Sequence, residues 1–347
     1  MRNIKYLFII LFSCLSLFFI NFKANASSEV PFNINVIHDN EIDKNINYVD
    51  ILMKPNTNHQ INFEIHNYSN VKRHFIIEAN NATTSDGPSI DYLSSKNSII
   101  GHPQFLDMLK GKNRKMYISL LPKSQQKIHF DIKTPKEEFN GIVMGGVSMY
   151  EDAKKDAQIM SKDNNSDGQT FSIKNKFVYS IAAIIRNNHK KIIPNLQFNK
   201  VVQSVENYSP VVKTSFENNK PNYIRRLSTS SVIRDDNNKI VKKHNTTLGQ
   251  VAPNSRFNII IPFKNTLPTG SYTLYGTAKD GDGHSWKWQK SFNITSENFD
   301  YVNKNVVKEP FHYNITIILL IILIIIFILI IIYLIVRRKK GSHLNDK

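Results

Sequence analysis

Two short stretches place a serine three residues ahead of a lysine, Ser69-x-x-Lys72 and Ser124-x-x-Lys127. In wall-active acyl enzymes this spacing sets an amine beside a nucleophilic hydroxyl. The chemistry also needs Ser-Asp-Asn and Lys-Thr-Gly elements, which the sequence lacks. It has neither Gly-x-Ser-x-Gly nor His-Glu-x-x-His. Its one cysteine, Cys14, lies in an N-terminal apolar run expected to be removed, so no thiol nucleophile survives. Asp163 to Gly168 reads DNNSDG, the first half of an EF-hand calcium loop. The twelfth position should be a bidentate glutamate, and it is Lys174, a cation. His59, His66 and His74 show no metal-ligand spacing. No catalytic residue, cofactor or metal is therefore expected.

Two other stretches bear on binding. Trp286 and Trp288, after the Asp-Gly turn of DGDGHSWKW, share one face of a strand with Lys287 opposite. They are candidates for stacking on sugar rings, although a core role is the stronger reading. Gly141, Gly145 and Gly146 sit in FNGIVMGGVSMY. A phosphate loop needs Lys-Ser or Lys-Thr after its last glycine, and Val147-Ser148 follows instead. A membrane-helix contact face needs about 20 apolar residues, and acidic pairs bound this run at Glu137-Glu138 and Glu151-Asp152. A strand bent at Gly145 and Gly146 remains.

These residues must be positioned by what lies between two distinctive ends. Arg2 and Lys5, an apolar run from Tyr6 to Ile20 and Ala24-Asn25-Ala26 read as a signal peptide over 1–26. Ile315 to Val336 is nearly all Ile and Leu, and Arg337-Arg338-Lys339-Lys340 follow at once. This predicts a transmembrane helix over 315–336 and a cytoplasmic basic tail over 337–347. The expected localisation is the cell membrane, single-pass, with the ectodomain outside in the cell wall.

The chain carries a formal net charge of +17. Three basic residues belong to the signal and a net four charges to the tail, leaving about ten positive charges on the ectodomain. A basic surface in that place suits peptidoglycan or an anionic wall polymer. Nucleic acid is the wrong partner for the compartment. A cysteine-free exported domain needs a sufficient core of its own.

The ectodomain alternates with period two in QINFEIHN, KIHFDIK, SYTLYGTA and SWKWQKSFNIT. FVYSIAAIIR, 177–186, is continuously apolar and predicts a strand covered on both faces. A short helix is expected between Pro103 and Lys110. Pro-x-Thr/Ser precedes an alternating strand three times, at Pro55-x-Thr57, Pro122-x-Ser124 and Pro253-x-Ser255. Such turns suit β-sandwiches of immunoglobulin-like type. The expected fold is an all-β ectodomain with two immunoglobulin-like β-sandwich domains in tandem plus one C-terminal transmembrane helix. The first domain is placed at 30–152, a polar linker or hairpin loop at 153–170, the second domain at 171–297 and a stalk at 298–314.

The order FNINVI, YVDILMKPNTNHQINFEIHN, EANNATTSDGPSIDY, LPKSQQKIHFDIKTP and FNGIVMGGVSMY resembles the N-terminal domain of WxL-interacting proteins. These are wall-associated partners of WxL surface proteins in Gram-positive bacteria. NKFVYSIAAIIR and LPTGSYTLYGTAKDGDGHSWKWQKSFNIT are similar to the family's second domain. The Gly141/Gly145/Gly146 strand and the Gly270-x-Tyr272-x-Leu274 strand are the most specific parts. The resemblance implies a non-enzymatic, membrane-anchored surface protein. Its first domain would bind peptidoglycan and its second a host extracellular matrix protein. WxL-domain surface proteins would be its partners. A structural or chaperone-like subunit without glycan affinity is the alternative, and a cell-wall-modifying enzyme a remote one.

Overall fold

Every stretch that alternates with period two in the sequence becomes a strand in the computed structural model. It describes residues 30–38, 46–93, 99–111, 114–152, 155, 177–307 and 315–342, the last helix with side chains only from Leu319 to Tyr333. The expected signal peptide over 1–26, nearly all of the 153–170 segment and the calcium-like loop at 163–168 lie outside the described residues.

In the first half, β1 (Phe32–Ile37), β3 (Asn58–Asn67) and β8 (Gln125–Lys133) form a sheet in the order β1-β3-β8. It faces a five-stranded sheet ordered β2-β10-β9-β4-β7. That sheet contains β2 (Val49–Leu52), β4 (Arg73–Asn81), β7 (Lys115–Leu120), β9 (Val143–Glu151) and β10 (Val178–Arg186). Phe32, Ile61, Phe63, Ile65 and Ile132 from the smaller sheet meet Phe75, Ile77, Val147, Met149 and Ile185 from the larger, all buried. Alternation puts these residues on one face of each strand, and burying them drives the two sheets together.

The second half packs β11 (Leu196–Glu206), β12 (Ser209–Asn218) and β15 (Ser255–Pro262) against a four-stranded sheet. The four are β13 (Ile224–Asp235), β14 (Ile240–Val251), β16 (Gly270–Lys279) and β17 (Ser285–Ile294), in the order β14-β13-β16-β17.

The threefold turn is one device used three times. Its middle residue is left-handed in each copy, with φ of 55° at Asn56, 53° at Lys123 and 47° at Asn254. The following hydroxyl donates to the carbonyl three residues back: Thr57 to Lys54 at 2.7 Å, Ser124 to Leu121 at 2.8 Å and Ser255 to Ala252 at 2.9 Å. Each turn then feeds β3, β8 or β15. Ser124 of the second Ser-x-x-Lys match is thus a turn residue, and Ser69 of the first donates to Asn67 at 2.6 Å within its own loop.

Two placements add to the sequence reading, and one expectation is overturned. First, β10 reads in sequence as the start of a second domain at 171. It lies inside the first sheet, antiparallel to β9 and parallel to β2. A continuously apolar strand must be covered on both faces, and an interior place in that sheet does this: Ala183, Ile184 and Ile185 are all buried. Second, the stalk begins as a docked helix, Ser296–Asn305. Thr295 caps it, Val302 is fully buried, and the Asn298 side chain donates to the Gln203 carbonyl at 3.2 Å. Third, among the described residues no helix is long and apolar enough to cross a membrane. Single-pass anchoring is not supported.

The two sheet pairs are also joined away from the linker. The hairpin of β5 (Thr83–Ser85) and β6 (Ser89–Asp91) leaves the first pair and inserts against β14 and β15. Thr84 Oγ1 lies 2.6 Å from Ser255 Oγ and accepts the Ala252 N–H at 2.9 Å, with all three residues buried. The Gln250 N–H donates to the Pro88 carbonyl at 2.8 Å, and the Asn258 side chain donates to Asp86 at 3.0 Å.

Candidate functional site

The glycines serve rings and close approach. β9 pairs with β10 without a register shift from Val143 to Tyr150, so Gly145 and Gly146 mark no bulge. A Cβ at Gly145 would collide with the Phe105 ring, and one at Gly146 with the Tyr92 ring. The one-turn helix Phe105–Met108 aims Phe105 inward, held where Asn81 Oδ1 accepts the Leu106 N–H at 2.8 Å. Gly141 has φ +81° and presses on the Pro221 carbonyl, which accepts the Ile142 N–H at 2.8 Å. That residue is a seam between the two halves.

The tryptophans divide. Trp288 lies directly opposite Gly276 and covers it, the pairing of an aromatic with a strand glycine. Phe216 meets it edge-on at 4.9 Å and Phe198 stacks at 6.3 Å, so the half-buried ring packs against the core of the second half. Trp286 is half-buried, and its ring lies 6.1 Å from that of His284. Gly270 opens β16 with φ +147°. Tyr272 is a core residue, stacked on Phe292 at 5.6 Å, and its hydroxyl donates to the Pro268 carbonyl at 3.0 Å.

A groove of about 600 Å³ opens at the seam. The first half supplies Gly141, Ile142 and Arg186, and the second Asn222, Tyr223, Arg225, Asp282 and His284. Between them runs the connecting segment 188–194, with His189, Lys190 and Lys191. It is held at Ile192, and the residue just before it is anchored to the first half. The Asn187 side chain donates to the Met53 carbonyl at 2.8 Å, and Asn222 donates to the Ile192 carbonyl at 2.7 Å.

The groove is basic, and its two guanidiniums are already committed. Arg186 forks onto Asp50 at 2.9 and 2.6 Å. Arg225 forks onto Asp282 with Nη2–Oδ1 at 2.5 Å. Those bonds hold the Asp282 carboxyl below its ordinary range, and the charge of Lys191 adds to the effect. His284 Nδ1 sits 2.7 Å from Asp280 Oδ2. Among the described residues no group of three or more His, Cys, Asp or Glu could hold a metal ion. Of the residues singled out in sequence, Gly141 lines the groove and Trp286 stands next to His284, while Gly145, Gly146, Gly270, Tyr272 and Trp288 lie elsewhere. Sequence reading missed His189, Lys190 and Lys191. The basic run in RNNHKKIIP was the available signal, and nothing local tied it to Arg225.

Two family models match the chain: the WxL Interacting Protein peptidoglycan binding domain over residues 23–151, and the WxL Interacting Protein host binding domain over 168–304. The chain belongs to the WxL-interacting protein family. It is a cell-surface binding protein with units of the peptidoglycan-binding and host-binding families. In this WxL-interacting protein the second match begins before β10, yet that strand completes the first sheet. No match was found among curated proteins. Solved structures with a similar outline include a chain of the chaperone–tip adhesin complex of CFA/I fimbriae biogenesis. It is 10% identical, covers 74% of this chain and 98% of its own, and has a TM-score of 0.31. A chain of the Salmonella enterica SafA pilin–SafB chaperone complex gives 11%, 70%, 98% and 0.26. The E. coli chaperone DraB gives 13%, 70%, 100% and 0.23. Overlaps this loose support no argument about function.

Proposed function

We propose that the chain is a non-enzymatic surface adaptor built from two immunoglobulin-like sandwiches. The first holds peptidoglycan, the second holds a host matrix protein, and an exposed sheet edge docks WxL-type surface proteins. The adjacent matches to a peptidoglycan-binding and a host-binding unit carry this reading. The first unit comprises residues 32–152 together with β10, and the second runs from 196 to the end of β17. Three features favour immunoglobulin-like sandwiches: a three-plus-four arrangement of strands in the second unit, β2 running parallel to β10 in the first, and the Tyr272 hydroxyl reaching back to Pro268 at the start of β16. The last is the tyrosine-corner device that pins a strand entry in such folds.

Among the described residues, edge strands β1, β11 and β17 present backbone groups with no strand on one side. Pairing with another β protein there needs no new fold. The test is retention of the full chain on insoluble peptidoglycan, with co-purification of a WxL-domain protein. Retention above that of a β-sandwich of matched charge is expected. Co-purification without retention would replace this reading with that of a structural subunit.

A further inference from the structure

We propose that the groove at the seam binds a phosphodiester-linked anionic polymer, one repeat at a time along its length. This rests on the reading of the chain as a wall-binding surface protein, and it adds a site and a ligand chemistry. The groove, at about 600 Å³, is within the range of ligand sites, and it forms where two units meet. Its cations differ in availability. Arg186 and Arg225 have spent their forks on Asp50 and Asp282. The planar, bidentate geometry that would read a carboxylate is therefore occupied. Lys190 and Lys191 are exposed, and neither has an ion-pair partner among the described residues.

Their ammoniums are point charges with rotatable donors, which suit the single diffuse charge of a phosphodiester. Two adjacent ammoniums on an anchored segment match charges that recur along a chain. The acids nearby are accounted for. Asp282 is bound by Arg225, and Glu138 accepts the Asn188 amide at 2.5 Å. Exposed Ile193 and the Tyr223 ring beside the cations give the aliphatic links of such a polymer an apolar floor. Both units contribute, so the groove depends on the seam contacts that hold them together, Ile142 to Pro221 and the β5–β6 hairpin among them.

The test uses the full chain and its Lys190→Glu/Lys191→Glu variant, probed with purified polyglycerol phosphate, with polyglutamate of matched length, and with peptidoglycan stripped of phosphodiester polymers. The wild type should prefer polyglycerol phosphate to polyglutamate, and its binding should weaken steeply as salt rises. The variant should bind polyglycerol phosphate at least ~10-fold more weakly with an unchanged melting temperature, because both side chains are solvent-exposed. Equal binding by variant and wild type would overturn the proposal, as would a wild-type preference for polyglutamate. Retention on stripped peptidoglycan reports separately on the adaptor reading and should be the same for both proteins.

Discussion

The ring of Phe105 occupies the place where a Gly145 side chain would stand. Phe105 is fully buried, and its position depends on Asn81 holding the first turn of its short helix. The glycine and the ring form one packing unit across 40 residues of sequence. Gly145→Val should therefore destabilise the first unit by ~1–3 kcal/mol, the usual cost of overpacking. Urea unfolding measures this. Adding Phe105→Leu should recover part of the loss, a coupling that a double-mutant cycle reads directly. An unchanged midpoint with lost wall retention would mean instead that Gly145 serves a ligand.

Thr84 carries the seam in a similar way. Its hydroxyl accepts the Ala252 N–H and meets Ser255, all in buried surroundings. Thr84→Val keeps the shape and removes the acceptor, leaving a buried N–H unpaired. The expected cost is ~1–3 kcal/mol. Calorimetry should show the two units unfolding further apart in temperature than in the wild type, because the lost bond joins one unit to the other.

The placement of β10 makes a prediction about fragments. A piece spanning 30–170 follows the sequence-based boundary and lacks the interior strand that joins β2 to β9 in the larger sheet. It should show poor amide dispersion by NMR and aggregate through the exposed edges of β9 and β2. A piece spanning 30–190 regains β10 and should be folded. Equal behaviour of the two would show that β10 is dispensable.

Burial pushes the Tyr92 phenol above its ordinary value of 10.0. A raised folded-state pKa for an acid contributes stability that is full below the unfolded value and lost as pH rises past it. The urea midpoint should then fall from about pH 8 to about pH 11, as the unfolded chain loses a proton the folded chain keeps. Tyr92→Phe should shrink that fall without abolishing it, because burial also raises Tyr150 and Tyr272. A fall of unchanged size would remove Tyr92 as a contributor.

Much of the fold was legible in residue order. Ile61, Phe63 and Ile65 alternate, and they point into the core as alternation requires. The Pro-x-Thr/Ser turns were visible as a pattern, and their shared left-handed residue and hydroxyl bond explain why the pattern repeats. The candidate site was less legible. Gly141 stood out for its residue type, but its partner Pro221 did not, and Lys190 and Lys191 looked like any solvated charge run.

Sequence alone determined which segments are strands, where the turns fall and which face of each strand is apolar. Those properties follow from backbone sterics and side-chain alternation over a few residues. Tertiary structure alone decided that β10 belongs to the first sheet, that rings stand over Gly145, Gly146 and Gly276, and that a basic groove opens at the seam. Each of these joins residues distant in sequence. Strand propensity does not name a partner strand, and a glycine does not name the ring it admits. Only packing the cores and closing the seam through Thr84 and Ser255 selects among the pairings that local chemistry allows.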